Sequence, residues 1–306
     1  MKTTTHPEGV LVIDTHLMGR PRVVASYALL GNEPALIDPG PASTLPSLEA
    51  GLALHGLGLA DIRHIIITHI HLDHAGATGP ILVRNPAIHV HVHAKGAPHL
   101  IDPSRLVNSA TLLWGDLMDT LWGTPCPVPR ESIMTLVGGE TLRIGGRVLR
   151  AYDAPGHAKH HLVWFDELSG GAFVGDNVGV RLPDMRHTRP ATPPPDVDIE
   201  GWLRTTDMIA ALDPQWLLPT HFGPFSDVGF HIADFRERLL HWTALVRNGL
   251  RSGASEEAQI AALEYQALSE VAYLSEQDLY DLTLQSGDIL LSYRGLVRYW
   301  QKKGLD

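Results

Sequence analysis

The chain of 306 residues contains a single cysteine, Cys126. One thiol excludes an internal disulfide, and it excludes a zinc site of the kind that needs several cysteine ligands. Cys126 lies in the loop Thr124-Pro125-Cys126-Pro127 without a paired histidine motif, so we expect a structural or incidental role for it.

The sequence also lacks a long apolar run. No segment reaches ~18 uninterrupted apolar residues, the length that a membrane-spanning helix needs. The first residues, Met1-Lys2-Thr3-Thr4-Thr5, contain no apolar core of a secretion signal. These two absences predict a cytoplasmic protein that does not use a membrane.

Basic residues are in the minority, with 24 Lys and Arg against 34 Asp and Glu, which gives a net charge of −10. Proteins that bind nucleic acid usually carry clustered positive charge. We therefore expect a small-molecule substrate and no nucleic acid. The hydrophobic content of 44% is typical of a globular chain with a substantial core.

Ligand-type residues, by contrast, are concentrated in the segment Thr68-His69-Ile70-His71-Leu72-Asp73-His74, which directly follows the β-branched run Ile65-Ile66-Ile67. Imidazole and carboxylate groups are ligands for zinc, iron and manganese. Three more ligand-type residues each follow an apolar run: His157, Asp176 and His221. A strand that ends in such a loop indicates a divalent-metal site.

An ordinary turn is the competing interpretation, because loops at strand ends commonly carry polar residues. Turns are built from Gly, Pro, Asn or Asp, however, and not from several histidines. Four ligand-type residues within six positions, followed by three more in the order His, Asp, His, therefore favour a metal site. Seven such residues are enough for two metals that share a bridge, and the pattern predicts a metal-dependent enzyme.

The order His-x-His-x-Asp-His, then His, Asp and His, resembles the metallo-β-lactamase superfamily in its glyoxalase II and lactonase branch. The resemblance runs from about Val10 to about Gly223, and it includes the strand-then-turn motif Leu36-Ile37-Asp38-Pro39-Gly40. The loop from Ala97 to Leu106 is similar to a bacterial and archaeal branch of largely uncharacterised metal-dependent hydrolases. The resemblance implies a four-layer αββα sandwich in the α/β (α+β) class.

The resemblance also implies a role for each ligand-type residue. His69, His71 and His157 would hold the first metal, Asp73, His74 and His221 the second, and Asp176 would bridge the two. Cations held ~3.5–4 Å apart acidify a shared water toward a pKa of ~7 and polarise a substrate oxygen. The implied function is hydrolysis of a small ester, thioester or lactone by a metal-bridging hydroxide, with Asp73 as the catalytic residue that orients it. Zinc is the default for both metal ions, and iron or manganese fit the same ligands.

Other branches remain as alternatives. Some relatives bind one iron through two histidines and an aspartate and oxidise glutathione persulfide, and a phosphodiesterase would be favoured by a basic pocket. Asp176 argues against β-lactamases with a Cys ligand, and His71 argues against flavin-linked di-iron oxygen reductases, which carry a glutamate there. Gly179 stands where acyl-homoserine lactonases carry a tyrosine, and the tail does not resemble the glutathione-binding helices of glyoxalase II.

Two residues are candidates for supporting the ligands. Ligating histidines usually give their second N–H to a carboxylate or a carbonyl, and we expect Asp38 to orient the metal loop in this way. His161 matches a histidine that lies four residues after the ligand His157 in related sequences.

Two further residues are candidates for the substrate pocket. His93 shares a strand face with His89 and His91 and is the one expected to reach the pocket, although a partly exposed edge face is the more ordinary interpretation. Arg181 is the candidate for an anionic substrate group, although an arginine more often stays at the surface.

Apolar runs between Gly, Pro and Asn signals predict short strands. They are Val10 to Ile13, Val23 to Leu30, Ala35 to Ile37, Ile62 to Thr68, Ile88 to His93, Glu140 to Arg150, His161 to Asp166, Phe173 to Val174 and Trp216 to Leu218. Ser43 to Gly56 predicts a helix. We expect one domain over 1–228, with a helical insertion at about 102–123, and a helical extension over 229–306 whose first helix ends at Gly249.

Two insertions interrupt the predicted strands. The first carries an apolar helical stripe, which predicts a helix packed on the body, a lid or the face of a homodimer. The stripe consists of Leu106, Ala110, Leu113, Leu117 and Leu121. The second runs from Pro183 to Asp198 and is rich in proline, which stiffens an extended loop. Because it begins soon after Asp176, we expect it at the rim of the site.

Overall fold

The computed structural model describes residues 7–305, and Met1 to Thr5, in which a secretion signal was sought, lie outside the described residues. Within them the strands form two sheets. The first sheet consists of β1 (Val10–Asp14), β2 (Ala25–Leu29), β3 (Ala35–Ile37), β4 (His64–Ile66), β5 (His89–His93) and β6 (Ile133–Leu136). The second consists of β7 (Thr141–Ile144), β8 (Arg147–Asp153), β9 (Leu162–Asp166), β10 (Gly171–Phe173) and β11 (Trp216–Leu218).

Helices lie between and after these strands. The core and the first insertion contain α1 (Leu45–Ala53), α2 (Leu72–Ala75), α3 (Thr78–Arg84), α4 (Ala97–Ile101), α5 (Ser104–Trp114), α6 (Met118–Trp122) and α7 (Ile199–Ala211). The C-terminal part contains α8 (Val228–Ser252), α9 (Glu256–Ser269), α10 (Glu276–Ser286) and α11 (Ile289–Lys303). No helix of the described chain is long and apolar enough to cross a membrane.

The two sheets pack face to face, and helices cover their outer faces. Tyr27, Trp164 and Phe173 are buried in one cluster between the sheets. A second cluster joins α1 and α3 to the outer face of the first sheet, and a third joins α7 to the second sheet. Each large apolar side chain buried in this way contributes about 1.5–3 kcal/mol to stability. The predicted αββα sandwich with C-terminal helices is confirmed.

Strand direction explains why one edge of this sandwich collects polar residues. β3 and β4 are parallel neighbours, and so are β10 and β11, so the carboxyl ends within each pair lie side by side. Asp38 follows β3, His69 follows β4, Asp176 follows β10 and His221 follows β11. The fold therefore brings four separate loops to one edge, where ligands bind in open α/β sheets.

The first insertion differs from the single helix that its stripe predicts. A 3-10 turn at Gly115–Leu117 separates α5 from α6, and Gly115 has a φ of 50° at this break. The stripe is broken with it, since Ala110 and Leu121 are buried while Leu113 and Leu117 stay exposed. Glycine permits a backbone conformation that the helical pattern cannot anticipate.

The first helix of the extension is longer than predicted. α8 runs through Gly249 and ends at Ser252, with Gly253 in the left-handed conformation at its C-cap. The predicted end at Gly249 is therefore wrong. A Cβ at Gly249 would lie 2.8 Å from Cγ of Gln259, so this glycine serves the close approach of α9 and not the end of α8.

The C-terminal helices are packed on the sandwich. Trp202 of α7 shares one hydrophobic cluster with Phe235 and Trp242 of α8 and with Leu296 of α11. The predicted boundary between 228 and 229 coincides with the beginning of α8, and its status as a domain boundary stays a prediction.

Candidate metal site

The structure brings the seven predicted ligand-type residues into one cluster beneath a cleft. Donor atoms lie within 4.8 Å of one another in three overlapping groups. The groups are His69, His71 and His157; His69, His74 and Asp176; and Asp73, His74 and His221. The short helix α2 begins directly after His71 and carries Asp73 and His74, and the ring of His74 lies against that of His69, with centroids 3.9 Å apart.

In the first group, three imidazole nitrogens converge. Nδ1 of His71 lies 2.9 Å from Nε2 of His69 and 3.0 Å from Nε2 of His157. Nδ1 of His157 donates to the carbonyl oxygen of Ala191, so its Nε2 carries a lone pair. Nδ1 of His69 lies 3.2 Å from the hydroxyl of Thr68, which itself donates to Asp38 and therefore accepts from His69. Lone pairs thus face one another, as they do around a cation.

In the group of Asp73, His74 and His221, the two imidazoles have the same arrangement. Nδ1 of His74 lies 2.8 Å from Oδ2 of Asp38, and Nδ1 of His221 donates to the carbonyl oxygen of Val23 at 2.9 Å. Their Nε2 atoms therefore face the interior of the cluster. Oδ2 of Asp73 lies 3.1 Å from Nε2 of His221 and 3.6 Å from Nε2 of His74.

Asp176 lies between the two groups and directs one oxygen at each. Its Oδ2 is 3.3 Å from Nε2 of His157 and 4.0 Å from Nε2 of His69. Its Oδ1 is 3.2 Å from Nε2 of His74 and 3.7 Å from Nε2 of His221. Both Oδ1 of Asp176 and Nε2 of His74 are buried and make no hydrogen bond. A carboxylate shared between two cations requires this geometry.

The two carboxylates of the cluster, Asp73 and Asp176, are stabilised by positive charge nearby. Burial alone would raise the pKa of Asp176, but His74, His157 and His221 hold it well below its usual value. Burial likewise would raise the pKa of Asp73, but His74 and His221 lower it to about 2. Within residues 7–305, the ion-pair partners of these two carboxylates are histidines only. Buried carboxylates without Lys or Arg need another cation.

The pKa values of the imidazoles are shifted in opposite directions because their charged neighbours differ. Burial and, after it, the neighbouring imidazoles lower the pKa of His69 well below its usual value and that of His71 to about 4. Burial would also lower the pKa of His74, but Asp176, Asp73 and Asp38 raise it well above the usual value. A proton on His74 therefore takes the place of a cation when no metal is bound. The nitrogen and oxygen donors fit zinc, iron or manganese.

Asp38 joins two of the loops that carry the cluster, the one that begins at Thr68 and the one that contains Thr220. Its Oδ1 accepts from the amide of Thr68, and its Oδ2 accepts from the hydroxyls of Thr68 and Thr220 at 2.6 and 2.9 Å, beside Nδ1 of His74. The residue is fully buried and has a φ of 47°, a left-handed conformation that is uncommon outside glycine. Asp38 thus fixes the orientation of His74.

His161 lies behind the cluster. Its ring stacks on that of His69, with centroids 4.7 Å apart, and its Nε2 accepts from the backbone amide of Asp176 at 3.4 Å. A Cβ at Gly175, whose φ is 50°, would lie 2.5 Å from Nε2 of His161 and 2.7 Å from the hydroxyl of Thr68. Only glycine therefore lets the loop that carries Asp176 approach so closely.

The structure corrects the expectation for the two pocket candidates. His93 lies outside the cleft, because β5 is an interior strand and its imidazole is buried beside Asp153, at 3.2 Å. Arg181 is also buried away from the cleft, where it donates to both oxygens of Asp227 and packs over the ring of Phe225. Tertiary partners, which the sequence pattern does not specify, hold both side chains elsewhere.

Sequence reasoning missed the threonines of the site. Thr68 and Thr220 each directly precede a histidine of the cluster, and both bind Asp38 through their hydroxyls. The repeated Thr-His pair after an apolar run was the signal that could have identified them.

A cleft of about 180 Å³ opens above the cluster. His71, Asp73, His157 and Asp176 form its floor. Its walls come from α5 and α6 of the first insertion, from Pro193 to Pro195, and from the segment Leu284 to Leu291 of the C-terminal helices. The expectation that the proline-rich segment lies at the rim of the site is confirmed. The insertion, in turn, packs on the body and also lines the cleft.

Comparisons with known proteins find relatives of similar sequence and a solved structure of similar fold. The chain is 26% identical over 310 residues to the probable metallo-hydrolase YqjP of Bacillus subtilis, covering 91% of each chain. It is 28% identical over 117 residues to the thioesterase pkgB of Emericella nidulans, covering 38% of this chain and 24% of that protein. The crystal structure of the archaeal protein ST1585 from Sulfolobus tokodaii superposes with a TM-score of 0.66 at 22% identity, covering 94% of this chain and 98% of that one, which shows a shared fold.

The sequence profile of the Metallo-beta-lactamase superfamily matches residues 19–221, which include every residue of the cluster. The match spans about two thirds of the chain and all the strands except β1. This protein therefore belongs to the metallo-β-lactamase superfamily.

Proposed function

We propose that this protein is a hydrolase that uses two divalent metal ions to cleave a small ester, thioester or lactone. The observation that carries the proposal is the position of Asp176, whose two carboxylate oxygens face two different sets of imidazole nitrogens. A site for a single ion would leave one of these sets, and one oxygen of Asp176, without a function.

We divide the ligands as the resemblance implies, and the distances between their donor atoms support this division. His69, His71 and His157 would hold one ion, Asp73, His74 and His221 the other, and Asp176 would contact both. A pair of such cations supplies Lewis acidity toward a carbonyl oxygen and acidifies a water molecule. By accepting from the outer nitrogens, Ala191, Val23 and Asp38 orient the inner imidazole nitrogens toward the position that a metal ion would take.

Asp73 is the proposed catalytic residue because it lies on the floor of the cleft and is half-buried there. Its carboxylate is ionised at neutral pH, with a pKa of about 2, so it accepts hydrogen bonds and cannot donate them. A group with so low a pKa is a weak proton acceptor, and its main contribution is to orient a water toward the substrate. Nε2 of His221, at 3.1 Å, fixes the orientation of this carboxylate.

The relatives and the cleft support hydrolysis at a carbonyl. YqjP is a probable metallo-hydrolase and pkgB is a thioesterase, and the pkgB match concerns a part of each chain only. A phosphodiesterase would be favoured by a basic pocket, and within the described part of the chain no Lys or Arg lines the cleft. We therefore propose carboxylic esters, thioesters or lactones over phosphate diesters.

The test is a panel of one ester, one thioester and one lactone, assayed with the protein as purified, after chelation and after return of zinc. We expect hydrolysis of at least one compound, loss of turnover on chelation and recovery with zinc. Absence of hydrolysis across the panel by protein that contains metal would contradict the proposal. Oxygen uptake with a persulfide by an iron-containing protein would replace it with the dioxygenase alternative. The cytoplasmic location, the small-molecule substrate and a homodimer stay predictions.

A further inference from the structure

The walls of the cleft are chemically unlike its floor. The first insertion contributes Leu106, Ala110, Leu113, Trp114 and Trp122. The rings of Trp114 and Trp122 meet edge to face, with centroids 5.5 Å apart, which fixes a rigid aromatic surface. On the C-terminal side, Leu284 and Leu291 line the cleft. Two parts of the chain that are far apart in sequence therefore enclose one apolar space, which ends at the cluster of seven ligand-type residues.

Positive charge is missing from these walls. Among residues 7–305, neither lysine nor arginine lines the cleft, and the polar residues of its C-terminal wall are the uncharged Gln285 and Ser286. Arg20 is paired with Asp281, and Arg181 with Asp227. A carboxylate or phosphate group placed between the walls would lose its hydration and find no partner, which is strongly unfavourable.

We propose that the cleft binds an uncharged, apolar group attached to the scissile bond of the substrate, a statement that rests on the hydrolase function proposed above. A dry apolar cavity of about 150 Å³ accommodates a benzene molecule. The 180 Å³ of this cleft therefore accommodates an aromatic ring or a chain of about six carbons. Glutathione conjugates, which carry two carboxylates, are poor substrates for such a site.

The first experiment uses thioesters of N-acetylcysteamine whose acyl chain grows from two to eight carbons, and a parallel series of acetate esters of straight-chain alcohols. Each methylene group that leaves water on binding raises kcat/KM by up to about fourfold. We expect kcat/KM to rise along at least one series up to about six carbons, and the same acyl groups on glutathione to be hydrolysed more slowly. The inference would be overturned if kcat/KM did not change with chain length in either series, or if the glutathione thioesters were hydrolysed faster.

Adjacent leucines on α5 offer a matched pair of variants. Leu113 lines the cleft and is 44% exposed, whereas Leu112 is 88% exposed and lies outside it. Leu113→Asp places a short carboxylate on the wall, while Leu112→Asp makes the same change to the same helix. We expect Leu113→Asp to lower kcat/KM about tenfold for the six-carbon substrate, which is a larger loss than for the two-carbon substrate, and to leave the metal content unchanged. Leu112→Asp should leave kcat/KM for both substrates unchanged. Equal effects of the two substitutions would overturn the inference.

A binding measurement separates this inference from the hydrolase proposal. The neutral ketone 2-octanone has no bond to hydrolyse, and Trp114 and Trp122 report its arrival by a change in tryptophan fluorescence. If nothing is hydrolysed but the ketone binds, and binds more weakly to Leu113→Asp than to Leu112→Asp, the apolar site stands and the hydrolase proposal fails. If acetyl substrates are hydrolysed but the ketone does not bind and chain length has no effect, the hydrolase proposal stands and the apolar site fails.

Discussion

The floor and the walls of the cleft are built by opposite means. On the floor, polar side chains come from the ends of strands, and hydrogen bonds such as that between His157 and Ala191 fix their orientation. On the walls, apolar side chains come from an insertion and from the C-terminal helices, and van der Waals packing alone holds them. The sandwich therefore carries the residues of the proposed chemistry, while the additions to it form the space that a substrate would enter.

The largest effect is expected on the floor, at Asp176. Asp176→Asn keeps the shape of the side chain but removes the charge that faces both groups of imidazoles. We expect the metal content to fall and turnover to drop by on the order of 10³-fold, since an electrostatic contact to the reacting centre is lost. Metal analysis and steady-state kinetics on the same preparation measure both quantities.

Asp153→Asn is the control, because Asp153 is bound to His93 away from the cleft. It should leave metal content and turnover unchanged. An Asp176→Asn protein with normal metal content and activity would remove the bridging role of that residue.

A smaller loss is expected at Asp38, which touches the cluster only through His74. Asp38→Asn removes the carboxylate that accepts from His74, Thr68 and Thr220. Loss of such a partner of a ligating histidine typically costs 10- to 100-fold in metal affinity or activity. A chelator-competition titration measures the affinity, and an unchanged titration curve would show that Asp38 has no influence on the site.

The stability of the metal-free protein should fall with rising pH in a way that the stability of the zinc form does not. The pKa of His74 is raised well above 6.5, so its protonated form stabilises the metal-free fold. That stabilisation is complete below about pH 6.5 and is lost as the pH rises through the raised pKa, at about 1.4 kcal/mol for each unit of difference. We expect the Tm of chelated protein to fall from neutral to alkaline pH relative to the zinc form. Parallel Tm curves for the two forms would contradict this.

Arg181 is buried outside the cleft, so its substitution should affect stability and not the metal site. Arg181→Gln breaks its ion pair with Asp227, which is partly exposed, and we expect a loss of about 1–3 kcal/mol in the free energy of unfolding. Metal content and kcat/KM should stay within about twofold of the wild type. Urea unfolding and metal analysis together check this result. Loss of metal without loss of stability would place Arg181 in the functional site after all.

The floor could be predicted from the sequence and the walls could not. His69, His71, Asp73 and His74 stand within six positions of a short loop, so a linear pattern contains most of their geometry. Leu284 lies more than 100 residues along the chain from the nearest residue of the floor. The sequence pattern of α10 does not predict that Leu284 lines the cleft. Contacts of this kind arise only when the separate parts of the chain pack together.

Local backbone conformation set a second limit on prediction. The apolar stripe of the first insertion predicts one helix, but Gly115 breaks it and turns Leu117 outward. Gly249 resembles a helix end, yet it permits the approach of α9 to α8. A glycine can serve a turn, a helix end or a close contact, and neighbouring elements decide which.

The most direct test of the central claim is the number and identity of metal ions per chain in protein purified without added metal. We expect close to two ions per chain, as zinc or as mixed zinc and iron, and a fall in this number on substitution of Asp176. A single iron per chain, with all seven residues of the cluster intact, would contradict it.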